Sequence, residues 1–221
     1  LTALTTGAGN VAVGYTALTA CPTGGSNIAI GSTALEDLVS GGANVAIGRN
    51  AGKEMGAAEN GNILIGMAAG QSLDEGSGGT IDDNIAIGKD SFTGADLSSA
   101  STAVYRNIAI GTNTLNSTGT NAQTGTIAIG YDALTALTSG AGNTAIGYRA
   151  GSSLTTTDSN TTVGYNAYYL GTGADNTAVG KNSLLDVISG SSNTAIGTNA
   201  IGGGLGTTAD NSVGNVAVGK D

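Results

Sequence analysis

Hydrophobic and polar positions alternate along this chain in short bursts. A five-residue pattern recurs twelve times: a polar residue, a β-branched residue, a small residue, Ile or Val, then Gly. The first copy is Asn10-Val11-Ala12-Val13-Gly14, and the motif glycines fall at 14, 31, 48, 66, 88, 111, 130, 147, 164, 180, 197 and 219. Successive glycines lie 16 to 23 residues apart, most often 17. The leading residue is Asn except at Thr126, and the central residue is Ala except at Leu64 and Thr162. Three residues after Gly comes a small side chain such as Ala17, Ala34 or Ala133, often followed by a large one such as Leu18, Leu35, Phe92 or Tyr168.

A run such as Asn-Ile-Ala-Ile is too short and too β-branched for a helix and reads as a strand. Side chains alternate along a strand, so the two β-branched residues share one face and Asn and Ala share the other. The bulky face is expected to fill the interior of each coil. The Ala face is expected to meet something at close range. The glycine permits a sharp bend or a positive φ. Asn residues stacked in register are expected to form a ladder of side-chain amides that satisfies turn backbone. Segments such as Ala133–Leu137 and Ser183–Ile188 read as second short strands, and Leu35–Val39 as a single helical turn. The longer connections, over Asp74–Asp83, Asp96–Arg106 and Gly202–Gly214, read as loops bulging from one edge.

Repetition at this period makes the chain one array over residues 1–221 rather than a set of domains. The expected fold is all-β, a parallel β-solenoid of about twelve coils. At ~4.8 Å per layer, twelve layers make a rod of roughly 55–60 Å. Each coil buries little alone, so stability comes from stacking. Residues 1–9 match the tail of a preceding repeat and the chain stops two residues after a motif glycine, so the array reads as an uncapped fragment of a longer fibre protein.

Composition narrows the function. Glycine accounts for 39 residues, with one proline, one phenylalanine and no tryptophan. The apolar content lies in Ala, Ile, Val and Leu, which suits a narrow layered core. The net charge of −9, from 7 basic and 16 acidic residues, argues against nucleic acid and against an anionic membrane surface. No apolar run approaches the ~20 residues of a membrane span. Cys21 stands alone, which rules out an internal disulfide.

The motifs Asn-Val-Ala-Ile-Gly and Asn-Thr-Ala-Ile-Gly resemble the head repeats of trimeric autotransporter adhesins, the YadA-like heads, and the similar repeats of bacteriophage tail fibres. The resemblance covers essentially the whole chain. It implies a left-handed parallel β-roll, with three chains packed or intertwined as a homotrimer. The repeats here are longer and less regular than in the adhesin heads, which brings them closer to the phage-fibre variety. On this resemblance the Ala face becomes the three-fold interface, carried by Ala12, Ala29, Ala46, Ala86, Ala109, Ala128, Ala145, Ala178, Ala195 and Ala217. The implied function is a non-enzymatic structural fibre segment in host or surface attachment, on a virion tail fibre or another extracellular surface. A bacterial trimeric adhesin head and the scaffold of a glycan-cleaving tailspike are the alternatives.

Catalytic signals are weak. The hexapeptide acyltransferase β-helix pattern fits Ile30-Gly31-Ser32-Thr33-Ala34-Leu35, but only once per coil, and those enzymes typically rely on a histidine this chain lacks. Calcium-binding nonapeptide arrays are absent. The acidic pairs Glu36-Asp37, Asp74-Glu75 and Asp82-Asp83 do not recur in register and read as solvated loops. No histidine exists to activate the many serines and threonines. No cofactor, metal site, nucleic acid or membrane insertion is expected. Thr144, Thr161, Thr177 and Thr194 align, but at the strand position read as core-facing. The residue after the motif glycine is Tyr15, Tyr131, Tyr148 and Tyr165 in four repeats. The last three are consecutive and would stack as a ladder, which either stabilises the sheet or contacts a host surface glycan.

Overall fold

The computed structural model describes residues 5–74, 80–94, 103–118, 122–202 and 213–220. The chain is all-β, a parallel β-solenoid of about ten turns. Its strands are β1 (Val11–Val13), β2 (Ile28–Ile30), β3 (Val45–Ile47), β4 (Ile63–Ile65), β5 (Thr80–Asp82), β6 (Ile85–Ile87), β7 (Ala103–Tyr105), β8 (Ile108–Ile110), β9 (Gln123–Thr124), β10 (Ile127–Ile129), β11 (Thr144–Ile146), β12 (Thr161–Val163), β13 (Thr177–Val179), β14 (Thr194–Ile196) and β15 (Val216–Val218). The twelve motif strands form one parallel sheet in chain order, each paired in register with its neighbours. β5, β7 and β9 form a second, three-stranded parallel sheet.

The interior is the reverse of the expected one. The Ala residues at the strand centres point inward: Ala29, Ala46, Ala86, Ala109, Ala128, Ala145, Ala178 and Ala195 are fully buried within their own chain, and Ala12 and Ala217 at the array ends are partly buried. The β-branched residues on either side of them face outward. The physical reason is volume. Bulk inside the coil comes from the turn after the glycine, where Leu18, Leu35, Phe92, Leu115, Leu134, Tyr168 and Leu184 are fully buried, joined by Leu38, Met55, Leu73, Leu137 and Leu154. Opposite them only a methyl group fits, which is the small-against-large complementarity of close-packed interiors.

The expected second strands are absent. Ala133–Leu137 and Ser183–Ile188 run as turns, and Leu35–Val39 forms no helix. What folds these segments is a repeated left-handed geometry. The second and fourth residues after the motif glycine both have positive φ, as in Thr16 at 49° and Leu18 at 51°, and the residue before the motif Asn does too, as in Ser26 at 61°. Non-Gly residues in this region cost roughly 1 kcal/mol each, which stacking into neighbouring coils offsets.

The longer connections are not simply loops. Two of the three contribute strands, β5 and β7, whose central residues Ile81 and Val104 are fully buried. Residues 75–79 and 96–102 of those connections, and 203–212 of the third, lie outside the described residues.

The Asn ladder forms as expected, inside the coil. Asn160 Oδ1 accepts from the backbone N–H of Asn176 at 3.0 Å and from its Nδ2 at 3.3 Å. The same backbone step joins Asn27 to Asn44 at 3.0 Å and Asn44 to Asn62 at 3.0 Å. Each amide also closes its coil: Nδ2 of Asn27, Asn44 and Asn143 donates to the carbonyls of Gly41, Glu59 and Thr157 at 2.9, 2.8 and 2.7 Å. A fully buried amide with donors and acceptor engaged satisfies the rule for buried polar groups.

Candidate functional site

The inward turn of Ala leaves the outer face of the long sheet with two columns of β-branched side chains. The column just before the motif glycine is Ile or Val in all twelve strands. The column two residues earlier is Val or Ile in eight and Thr in four. Thr144, Thr161, Thr177 and Thr194 therefore lie outward and half-buried, not toward the core. Ile30, Ile47 and Ile146 are 37%, 37% and 38% exposed, although each sits inside the sheet. No charge interrupts either column. With eleven strand spacings of ~4.8 Å and side chains two residues apart, the stripe measures roughly 53 Å by 10 Å, or on the order of 500 Å². That area lies at the upper end of the largest apolar patch usual on a monomer, roughly 300–600 Å².

The glycine beside this stripe is required by both its conformation and its surroundings. Gly147 has φ 137°, and a Cβ added there would overlap the carbonyl oxygen of Gly164 in the next coil. The same relation links Gly31 to Gly48 and Gly88 to Gly111. Successive glycine corners thus nest against each other, and the residues that follow them stay in register. The amide of Arg149 donates to the carbonyl of Tyr131 at 2.9 Å, and that of Asn166 to Tyr148 at 2.9 Å.

On this register the predicted tyrosine ladder is present. The Tyr131 and Tyr148 rings stack at 5.4 Å with 10° between planes, and Tyr148 and Tyr165 at 5.0 Å with 8°. The faces of Tyr148 are turned toward its two neighbours. The Lys181 Nζ of the next coil stands 6.0 Å from the Tyr165 centroid, so sugar stacking on a ring face is confined to the outer side of Tyr131, while the ring edges lie along an exposed row. The Arg149 guanidinium stands 5.2 Å from the Tyr148 centroid and 5.9 Å from that of Tyr169, and its Nε is 3.5 Å from Asp132 Oδ2. Electrostatic interaction with Tyr148, and after it with Tyr169 and Asp132, raises the Arg149 pKa against the opposing cost of desolvation. Tyr15 stands apart from the ladder and is the most exposed tyrosine. Tyr168, noted from sequence beside the ladder, is instead core: its hydroxyl donates to the Gly190 carbonyl at 3.1 Å and accepts from Gly173 N–H at 2.9 Å.

Asp37 of the first acidic pair lies within electrostatic reach of Asp74 of the second. Asp82 Oδ1 accepts from the Asn60 amide at 2.7 Å. Burial raises the Asp37 pKa, opposed by Lys53 and reinforced by Glu36, Glu54 and Asp74. Glu75 lies outside the described residues. Among the described residues no group of three or more His, Cys, Asp and Glu is placed to hold a metal ion, and no helix is long and apolar enough to cross a membrane. Cys21 is buried, and desolvation raises its thiol pKa.

The chain matches no family model, no curated protein and no solved structure.

Proposed function

We propose that this chain is a non-enzymatic fibre segment that assembles as a homotrimer of left-handed β-rolls and holds an attachment structure, such as a phage tail fibre, away from its base. The observation that carries the reading is the uncharged stripe of Ile, Val and Thr along the outer face of the long sheet. An elongated apolar stripe parallel to the rod axis suits partners that are themselves rods of the same pitch, and further copies of this chain meet that requirement at every layer. The interface assigned to the Ala face thereby moves to the opposite side of the same strands. The outward residues Ile30, Ile47, Ile129 and Ile146 replace Ala29, Ala46, Ala128 and Ala145. The resemblance to YadA-like heads and tail-fibre repeats supports three as the number of chains and attachment as the role.

The test is the solution mass by light scattering, for the natural chain and for Ile129→Glu/Ile146→Glu. The expected result is three times 21.2 kDa for the natural chain and a smaller, still β-rich species for the variant. A folded monomer of the natural chain overturns the reading.

A further inference from the structure

We propose that the column of residues following the motif glycines is a linear binding edge for an extended acidic polysaccharide. Four positions of this column are the tyrosines Tyr15, Tyr131, Tyr148 and Tyr165, and four more are cations: Arg49, Lys89, Lys181 and Lys220. One column of twelve positions thus holds eight of the fourteen Tyr, Lys and Arg residues in the chain, and none of its 16 Asp and Glu. All eight side chains are exposed. Chance placement in a chain of net charge −9 would not segregate the column this way. Stacking accounts for Tyr131, Tyr148 and Tyr165, and for Lys181, whose Nζ stands 6.0 Å from the Tyr165 centroid. It does not account for Arg49, Lys89 and Lys220, which have no tyrosine beside them in the column.

The column is a continuous row. Backbone bonds hold it in register from coil to coil, from the Thr33 amide on Tyr15 at 2.8 Å to the Asn199 amide on Lys181 at 2.9 Å. A row suits a polymer, and its spacing selects the polymer. Arg49 and Lys89 follow β3 and β6, two layers apart in the sheet, and Lys181 and Lys220 follow β13 and β15, again two layers apart. Two layers are ~10 Å. An extended glycan advances by about one layer per sugar, so one cation per two layers matches a polysaccharide with one carboxylate per disaccharide. Arg149, one residue outside the column and beside Tyr148, continues the series two layers before Lys181. Between the cations, the phenol edges offer hydroxyls to the hydroxyls of the sugars. Lys89 and Arg149 are each shared with a neighbouring carboxylate, Asp90 at 2.6 Å and Asp132 at 3.5 Å. Such exposed pairs are weak and exchange readily with a ligand carboxylate.

Nucleic acid fits this edge poorly. It presents a phosphate at every nucleotide and binds single strands by stacking bases on free aromatic faces. Here cations are sparse, and the Tyr148 faces are taken by Tyr131 and Tyr165.

The test is affinity electrophoresis of the natural chain through native gels containing hyaluronan, alginate or polygalacturonate, with carboxyl-reduced hyaluronan and duplex DNA as controls. Relative mobility is read against a gel without polymer. The expected result is retardation by hyaluronan, which carries one carboxylate per disaccharide, weaker retardation by alginate and polygalacturonate, which carry one on every sugar, little by the reduced polymer or DNA, and about tenfold weaker hyaluronan binding for Arg49→Gln/Lys181→Gln and for Tyr148→Ser/Tyr165→Ser. Circular dichroism of these surface variants should be unchanged. No retardation by hyaluronan, equal retardation by DNA, or full binding by either variant overturns the proposal. The outcome is separable from the fibre reading: a trimer that ignores all three polymers keeps the fibre and loses this edge, and a monomer that binds does the reverse.

Discussion

The side chain of Leu64 occupies the space that Gly52 leaves open: a Cβ on Gly52 would stand 2.7 Å from Leu64 Cδ1. Gly70, one coil further on, stands in the same relation to Leu64 Cδ2 at 2.7 Å. Leu64 is the one large residue at the centre of a motif strand, and Gly52 and Gly70 fall where Leu18 and Leu35 sit in earlier coils. The other exception follows the same rule, with Thr162 Oγ1 3.3 Å from a Cβ on Gly151. Volume removed from the turn is returned by the strand.

This exchange predicts strong coupling. Leu64→Ala should cost about 2–5 kcal/mol through the cavity it opens. Gly52→Leu alone should also destabilise, by overlap with Leu64. The double variant removes the overlap with Leu64, leaving those with the ends of Met55 and Leu35, and should cost clearly less than the sum of the two. Urea midpoints for the four proteins decide it, and additive effects would show that the two positions do not share one volume.

The motif glycines separate two costs. Gly147→Ala meets both an unfavourable φ of 137° and the carbonyl of Gly164, whereas Gly219 has the same φ with nothing within 4 Å. Gly147→Ala should lower the midpoint severely and Gly219→Ala only slightly. Equal losses would assign the requirement to conformation alone.

The Asn ladder is interrupted at Thr126, whose hydroxyl reaches the Gly140 carbonyl only at 3.4 Å and offers Asn143 no amide oxygen. Thr126→Asn should therefore stabilise the chain by about 0.5–1.5 kcal/mol, the net worth of a hydrogen bond. Asn160→Ala, which strands buried partners on both sides, should cost about 1–3 kcal/mol. Thermal melts of both variants provide the check. A destabilising Thr126→Asn would show that the local backbone cannot accept the amide.

Stability should fall on the alkaline side. Burial raises the pKa of Cys21 and of Tyr168, each opposed by a backbone hydrogen bond. The folded chain thus holds these protons more tightly than the unfolded one, and unfolding releases protons as pH rises. Their contribution is complete below the ordinary thiol pKa and is lost as pH climbs from there through the raised folded value, first for Cys21 and then for Tyr168. Melting temperatures from pH 7 to 11 should decline, and Cys21→Ala should flatten the first part of the decline. An unchanged profile in that variant would remove Cys21 from the account.

Much of the fold is legible in the residues. Twelve copies of one motif at a near-constant spacing place parallel strands in register, because identical short strands bury their surface only by stacking on their copies. The ladders of Asn and of Tyr131, Tyr148 and Tyr165 follow from that register alone. The inner and outer faces were not legible. Alternation separates Ala29 from Ile28 and Ile30 but does not say which side is the interior, and the usual preference for bulk inside chooses wrongly. The strands β5, β7 and β9 were hidden because their segments lack the motif and read as polar connections.

What the sequence by itself determined is the period, the parallel register and the residue types that form each column along the rod. What only the tertiary structure decided is which column faces in. That depends on the turn after the glycine, where left-handed residues such as Thr16 and Leu18 swing Leu18 across the coil and leave room for nothing larger than Ala on the facing strand. The choice rests on the width of the closed coil, a distance between segments that no local pattern encodes.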